Sequence, residues 1–269
     1  MPELPEVEVT RRGIAELLTG ATITDVVVRN GSLRYPVPAG LSGWLRGQVA
    51  VRFGRRAKYL LVETAAGTLI VHLGMTGTLR VLPADTPLRL HDHVDIVFGA
   101  QVLRYHDPRR FGAMLWLPAG DDHPLLGGLG VEPLTGDFDG EYLYRASRGR
   151  RTPIKLFIMD AAVVVGVGNI YASESLFRAR INPKTPAGRL SRERCTRLAG
   201  EIKATLTDAL AAGGSTLRDF VASDGSRGYF QQQYFAYGRE GEACRVCGRE
   251  IRRLVMGQRS TFYCPSCQR

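Results

Sequence analysis

Lys58-Tyr-Leu-Leu-Val-Glu-Thr-Ala-Ala-Gly-Thr-Leu-Ile-Val-His72 holds two short runs rich in β-branched and aromatic residues, broken at Ala66-Gly67. Runs of this length around a turn dipeptide read as paired strands, here 58–63 and 68–72. Outward from this pair the pattern recurs over residues 21–29, 47–53, 77–82, 93–98, 102–106 and 113–117. Parallel strands need long, usually helical crossovers, and there is little helix between these segments, so they predict an antiparallel β-sandwich. In front of them, residues 5–18 carry Val7, Ile14 and Leu18 on one helical face, and Gly20 supplies the stop. From residue 137 onward the periodicity turns helical. Residues 191–212 place Cys195, Leu198, Ile202, Leu206 and Leu210 along a core-facing stripe that ends at Gly213-Gly214. The fold class is therefore α+β, and the loop-rich tract 127–139 reads as the linker between domains.

A chain of 269 residues with 44% hydrophobic content can bury a sizeable core and is long enough for two domains. It contains no run of eighteen apolar residues and does not open with a basic-then-apolar leader, so a cytoplasmic protein is expected. Thirty-six Lys and Arg against 26 Asp and Glu give a net charge of +10. That excess suits a polyanionic partner such as nucleic acid, although a merely basic surface explains the charge equally well. Arginines gather at Arg55-Arg56, Arg109-Arg110, Arg148-Gly-Arg-Arg151 and Arg252-Arg253, more closely than a solvated face needs.

The most specific local signal is Cys244-x2-Cys247 followed, sixteen residues later, by Cys264-x2-Cys267. This spacing matches a four-cysteine structural zinc site on two knuckles; two disulfides are the alternative, which a reducing compartment disfavours. Cys195 is expected to be a buried bystander. Between the knuckles Arg252, Arg253, Gln258 and Arg259 fall on a short β-ribbon, suited to phosphate contact or groove insertion. A second feature is Gly166-Val-Gly-Asn169, a tight turn between two amphipathic stretches at 152–161 and 169–178. Backbone N–H groups at the helix opened by Asn169 would bind phosphate, and a plain helix connection fits the same residues.

At the amino terminus stands Met1-Pro-Glu-Leu-Pro-Glu6. Aminopeptidases remove Met1 before a small residue, which would expose the secondary amine of Pro2. An α-amino group has an unperturbed pKa of about 8, low enough to serve as a nucleophile near neutrality. Attack on a sugar or carbonyl carbon gives an iminium, and Glu3 or Glu6 could then move the protons that elimination requires. Proline and acids are equally the residues that begin an ordinary helix.

Met1-Pro-Glu-Leu-Pro-Glu-Val-Glu8, Arg55-Arg-Ala-Lys-Tyr-Leu60, His72-Leu-Gly-Met-Thr-Gly77, Asp107-Pro-Arg-Arg-Phe-Gly112, Gly166-Val-Gly-Asn-Ile-Tyr-Ala172, Ser223-Asp-Gly225 with Gly228-Tyr-Phe230, and Gly257-Gln-Arg-Ser-Thr-Phe-Tyr-Cys264 together resemble the formamidopyrimidine-DNA glycosylases along the whole chain. The resemblance implies an amino-terminal catalytic β-sandwich over 1–130, a helix-two-turns-helix domain over 131–240 and a zinc ribbon over 241–269. It implies a monomer with one structural Zn2+ that excises 8-oxoguanine and formamidopyrimidines from duplex DNA and cuts the abasic strand. Pro2 would attack C1′, Glu3 would carry protons, Glu6 would hold the first turn, and Lys58 would bind the phosphate beside the lesion and keep the amine unprotonated. Met75, Arg109 and Phe111 would fill the hole left by the everted base, Arg109 pairing with the orphaned cytosine. Resemblance also assigns His72, His91, Lys155, Asn169, Tyr237 and Arg259 to the DNA, and residues 217–230, with Gly225 and Gly228 as hinges, to a lesion-capping loop. Arg218 stands where several relatives have lysine. Endonuclease VIII, which prefers oxidised pyrimidines, shares the amino-terminal chemistry, and a non-catalytic zinc-ribbon DNA binder is the other alternative.

Overall fold

The computed structural model describes residues 2–214 and 234–269, so Arg218 and the expected capping loop at 217–230 lie outside the described residues. The chain divides into two units, one holding Met1–Gly127 with residues 212–214, the other Gly128–Ala211 with residues 234–269. Among the described residues no helix is long and apolar enough to cross a membrane.

The first unit begins with helix α1 (Leu4–Leu18), which stops ahead of Gly20 at a φ of +83°. Its apolar stripe of Val7, Ile14 and Leu18 is buried. Strand β1 (Asp25–Val28) and a short helix α2 (Leu41–Leu45) follow. Next come β2 (Arg52–Arg56), β3 (Tyr59–Thr64), β4 (Gly67–His72), β5 (Thr78–Pro83), β6 (Asp92–Phe98), β7 (Gln101–His106) and β8 (Ala113–Pro118). They form two antiparallel four-stranded sheets, ordered β1-β6-β7-β5 and β2-β3-β4-β8. A single apolar cluster joins them. It takes Leu60 and Val62 from β3, Leu69 and Val71 from β4, Val94 and Ile96 from β6, Leu103 and Tyr105 from β7, and the α1 stripe. Alternate residues of β3 point inward, as a half-buried strand requires, and each buried leucine contributes roughly 1.5–3 kcal/mol. The expected sandwich is thus present, with boundaries displaced at the strands expected over 21–29, 47–53 and 58–63, the largest shift being the second. Residues 47–50 exchange backbone hydrogen bonds with residues 20–23 around an isolated bridge, Thr22 to Val49, and the strand begins at Arg52, where pairing with Glu63 starts the β2–β3 register.

Within the first unit a buried ion group clamps β6 to β7. Arg104, 2% exposed, lies directly opposite Asp95 and grips its two carboxyl oxygens at 2.9 and 3.0 Å, while Arg29 pairs with the same carboxylate. A bidentate fork of this kind satisfies a charge that burial would otherwise penalise.

The second unit is helical before it ends in a hairpin. After α3 (Pro124–Gly127), the last element of the first unit, come α4 (Gly140–Ser147), α5 (Ile154–Ile158), α6 (Asn169–Arg178) and α7 (Arg192–Ala211). Of the expected α7 stripe, Cys195, Leu198, Ile202 and Leu206 are buried, while Leu210 in the last turn is half-buried. Strands β9 (Arg252–Met256) and β10 (Arg259–Tyr263) pair around Gly257-Gln258, both at positive φ (53° and 60°), the twist-matched two-residue hairpin turn.

Candidate active site and nucleic-acid interface

Acids that merely start a surface helix sit in water; here Glu3 is 2% and Glu6 0% exposed, and Pro2 is buried with them. The Glu6 carboxyl accepts the backbone N–H of Glu3 at 2.8 Å, so the turn that carries Pro2 is held from inside the helix. Two steps along α1, Glu8 fastens the helix to the β2–β3 hairpin. Its carboxylate accepts from Arg11 at 2.8 and 3.0 Å, Arg12 at 2.8 Å and Arg55 at 3.1 Å. Burial raises the Glu8 pKa, but the three guanidinium groups outweigh it and hold the group down to about 2. Arg55 in turn donates to the carbonyl of Ala57 at 2.9 Å and so fixes the hairpin turn, where Ala57 takes a φ of 53°.

Lys58 belongs to this turn rather than to the strand expected for it, and it is half-buried. It acts on a neighbour: burial first, and then the Lys58 and Arg34 cations, push the His72 pKa down to about 4. His72 is therefore neutral near pH 7. Its ring stands 5.1 Å from that of Tyr59, its partner across β3–β4, and its Nδ1 accepts the Gly74 N–H at 3.1 Å. A cleft of about 110 Å³ opens between Arg34, Tyr35, Tyr59 and His72.

Met75 and Phe111 have core packing as their usual alternative, and exposures of 38% and 46% exclude it. Met75 sits on the β4–β5 loop, and Arg109 and Phe111 sit on the β7–β8 loop, with the Arg109 guanidinium 4.8 Å above the Phe111 ring. The two loops touch: a side chain at Gly74 (φ +63°) would collide with the backbone of Phe111 and Gly112. His91 is half-buried at a φ of 74°, its ring edge-on to those of His93 and His106 at 6.1 Å.

In the second unit Asn169 is the first residue of α6, behind Gly168 in an extended cap conformation. Its side chain is pinned: Nδ2 donates to the Ser260 carbonyl at 3.0 Å and Oδ1 accepts from Lys155 at 2.5 Å. Lys155, expected at the DNA, is instead fully buried, and its ammonium also donates to Thr261 Oγ1 at 2.6 Å and to the Ser260 carbonyl at 3.2 Å. It ties Asn169 to β10, the strand that presents the exposed Arg259. Tyr237 is half-buried, edge-on to Phe262 at 5.2 Å. The turn carrying it is anchored by Glu174, which is 1% exposed and accepts the N–H groups of Phe235, Ala236 and Tyr237 at 2.7–2.9 Å. Of the ribbon arginines, Arg253 faces Glu240 at 3.3 Å, whereas Arg252 and Arg259 stand exposed.

The four cysteine sulfurs at 244, 247, 264 and 267 all lie within 4.8 Å of one another, with Cys247 to Cys264 at 3.5 Å and Cys244 to Cys267 at 3.9 Å. A disulfide needs about 2.05 Å, so the pairs are not bridged. Tetrahedral zinc with bonds of about 2.3 Å separates its sulfurs by about 3.8 Å, so the cluster fits one zinc ion. Knuckle turns support it: Gly248 N–H donates to the Cys244 carbonyl at 2.9 Å, and Gly248 takes a φ of +74°.

Sequence reasoning did not single out Glu8, Glu174 or the burial of Lys155. For Glu8 the spacing to Arg11 and Arg12 was a usable signal, since residues three and four apart meet on a helix. Glu174 and Lys155 had none, because the partners of Glu174 lie 61–63 residues away and two of the three that hold Lys155 lie 105–106 away.

Comparison with known proteins bears on the whole chain. Residues 1–114 match the formamidopyrimidine-DNA glycosylase N-terminal domain, residues 129–221 the formamidopyrimidine-DNA glycosylase H2TH domain, and residues 241–269 a zinc finger found in FPG and IleRS. Formamidopyrimidine-DNA glycosylases of Aromatoleum aromaticum and Stenotrophomonas maltophilia are 60% and 56% identical, each match covering 100% of both chains. The crystal structure of MutM (Fpg) from Thermus thermophilus superposes with a TM-score of 0.90 at 39% identity, covering 99% of this chain and 98% of that one. The complex of Lactococcus lactis Fpg with DNA containing an abasic site gives 0.92 at 33% identity, covering 99% of each. Likeness at this level over the full length, in a chain with these motifs and this fold, leaves one assignment: the chain belongs to the formamidopyrimidine-DNA glycosylase family.

Proposed function

We propose that the protein is a bifunctional DNA glycosylase and abasic-site lyase of base excision repair, acting on duplex DNA that contains 8-oxoguanine or formamidopyrimidines. The observation that carries the reading is the burial of the Pro2-Glu3-x-x-Glu6 head of α1, since the acids of a capping box on a plain surface helix would sit in water. The family relatives and the Lactococcus lactis complexes, whose DNA holds Fapy-dG or an abasic site, supply the substrate class. The segments 1–130, 131–240 and 241–269 then divide the work into catalysis, duplex gripping and a zinc-stiffened ribbon, and the protein works in the bacterial cytoplasm.

The chemistry follows from the groups at hand. With Met1 removed, the Pro2 nitrogen attacks C1′ of the everted nucleotide; the C1′–N bond breaks and its electrons leave with the base. Glu3 delivers a proton to the ring oxygen as the sugar opens to an iminium, then takes one from C2′ so that the 3′ phosphate leaves by β-elimination. A further elimination releases the 5′ phosphate. Glu6 keeps Pro2 in register, and Lys58 takes the part of the family's lysine, its charge favouring the neutral, nucleophilic form of the amine. Met75 and Phe111 occupy the vacated stack, and Arg109 reads the orphaned base. Asn169, with the N–H groups at the start of α6, and Arg259 on the ribbon grip phosphates.

Borohydride reduction during turnover tests the reading. A covalent adduct should accumulate on an 8-oxoguanine duplex and not on an undamaged one. An adduct only on thymine glycol would reassign the chain to pyrimidine lesions, and no adduct on any duplex would remove the catalytic role.

A further inference from the structure

Besides their backbone contact at Gly74, the two loops that carry Met75 on one side and Arg109 and Phe111 on the other are hydrogen-bonded through one hydroxyl. Thr76 Oγ1 donates to Asp107 Oδ1 at 2.7 Å and accepts the backbone N–H of Arg109 at 3.3 Å. Asp107 is fully buried, and its second oxygen takes the Tyr105 hydroxyl at 3.0 Å and the Gly112 N–H at 2.9 Å. Its carbonyl accepts from His93 Nε2 at 2.9 Å and from the N–H of Arg110 at 3.2 Å. Burial, and then the Asp107 charge, push the Tyr105 pKa far up, so the phenol remains a donor. The Thr76 loop is itself closed, because the Gly77 N–H donates to the Leu73 carbonyl at 2.8 Å. Among the described residues, every other bond to Asp107 comes from its own loop, from β6 and β7, or from His91 just ahead of β6, whose carbonyl accepts the Asp107 N–H at 3.1 Å. Among the described residues, Thr76 alone bonds to Asp107 from the loop of Met75.

We propose that Thr76 is a positioning residue for opposite-base reading: its hydroxyl, seated on the buried Asp107, couples the Met75 loop to the Arg109–Phe111 loop so that wedge insertion and base readout occur as one event. This rests on the role given above to Met75, Arg109 and Phe111. The hydroxyl touches no substrate. A duplex that pushes Met75 into the stack drags the Arg109 backbone with it, and without that bond each loop can engage while the other lags. Asp107 serves as the fixed post, since His93 on β6 and Tyr105 on β7 hold it from outside both loops.

The test compares Thr76→Val, which keeps the shape and removes the hydroxyl, with Thr76→Ser, which restores it. Single-turnover excision of 8-oxoguanine opposite cytosine and opposite adenine gives the discrimination ratio. A hydrogen bond to a charged group is worth about tenfold or more, so the ratio should fall by roughly tenfold in Thr76→Val and return to near the parent value in Thr76→Ser. Borohydride trapping on a single-stranded abasic oligonucleotide, which needs neither wedge nor orphan base, should be equal in all three proteins. An unchanged ratio in Thr76→Val, with trapping intact, overturns the coupling. A ratio that falls equally in Thr76→Val and Thr76→Ser also overturns it, because side-chain size rather than the hydroxyl would then be the cause. Loss of trapping in the parent protein would instead strike the amino-terminal chemistry on which the inference stands.

Discussion

Lys155→Met separates a lysine that contacts DNA from one that only holds the residues that do. Methionine keeps the length of the side chain and deletes an ammonium that donates to Asn169, Thr261 and Ser260. Each hydrogen bond to a charged group is worth about 1.5–3 kcal/mol, yet removing the ammonium also removes several kcal/mol of burial cost, so the net loss of stability is on the order of 2–4 kcal/mol. At roughly 2–4 °C per kcal/mol for a protein of this size, the melting temperature should fall by about 5–15 °C. Binding to undamaged duplex should also weaken, because the Asn169 amide and the Arg259 strand lose their common anchor. The salt dependence is the deciding quantity. A lysine on a phosphate contributes about 0.9 to the slope of log K against log salt, and a fully buried one contributes nothing. Anisotropy titrations at four or five salt concentrations should therefore give parallel lines for parent and Lys155→Met, whereas Arg259→Ala should give a line shallower by about 0.9 with an unchanged melting temperature. A shallower line for Lys155→Met with its stability intact would refute the reasoning.

Four further outcomes follow from these residues. Below pH 6.5 stability should fall as pH drops toward 4, because unfolded His72 binds a proton that the folded imidazole refuses; the effect is about 1–3 kcal/mol, and His72→Gln should flatten that part of the melting-temperature profile. Glu8 adds a second acid limb, since its contribution is present above 4.5 and is lost as pH falls toward about 2. In Cys247→Ser the zinc content should drop and binding should weaken on lesion and undamaged duplexes alike, while near-neutral melting of the β-sandwich persists; one zinc per chain retained in the variant would contradict the ligand set. Arg109→Ala should lose most of the cytosine-over-adenine preference, by about 1–3 kcal/mol in single-turnover rates, and an unchanged ratio would place opposite-base reading elsewhere.

What the sequence made legible was local. The α1 stripe, the α7 stripe, seven of the eight strands to within a few residues and the four zinc ligands all rest on spacings shorter than about twenty residues. The β2 strand was displaced because residues 47–53 look as strand-like as 52–56, and only the hairpin register with β3 decides between them. Lys58 fell into the turn for the same reason. The supporting shell was harder still. Asp107 stood in plain view inside Asp-Pro-Arg-Arg-Phe-Gly, yet nothing in its spacing announces a buried carboxyl bound to Thr76, 31 residues back. Likewise a lysine that meets Thr261 across 106 residues reads from sequence as one more cation in a basic protein.

The central claim is that the amine of Pro2 forms the covalent bond, and peptide mapping of the borohydride-trapped complex tests it most directly. The reduced sugar remnant should lie on the amino-terminal peptide at Pro2, and a protein retaining Met1 or an uncleaved tag should yield no adduct while keeping its zinc and its fold. A remnant on Lys58, or full trapping with the amino terminus blocked, would contradict it.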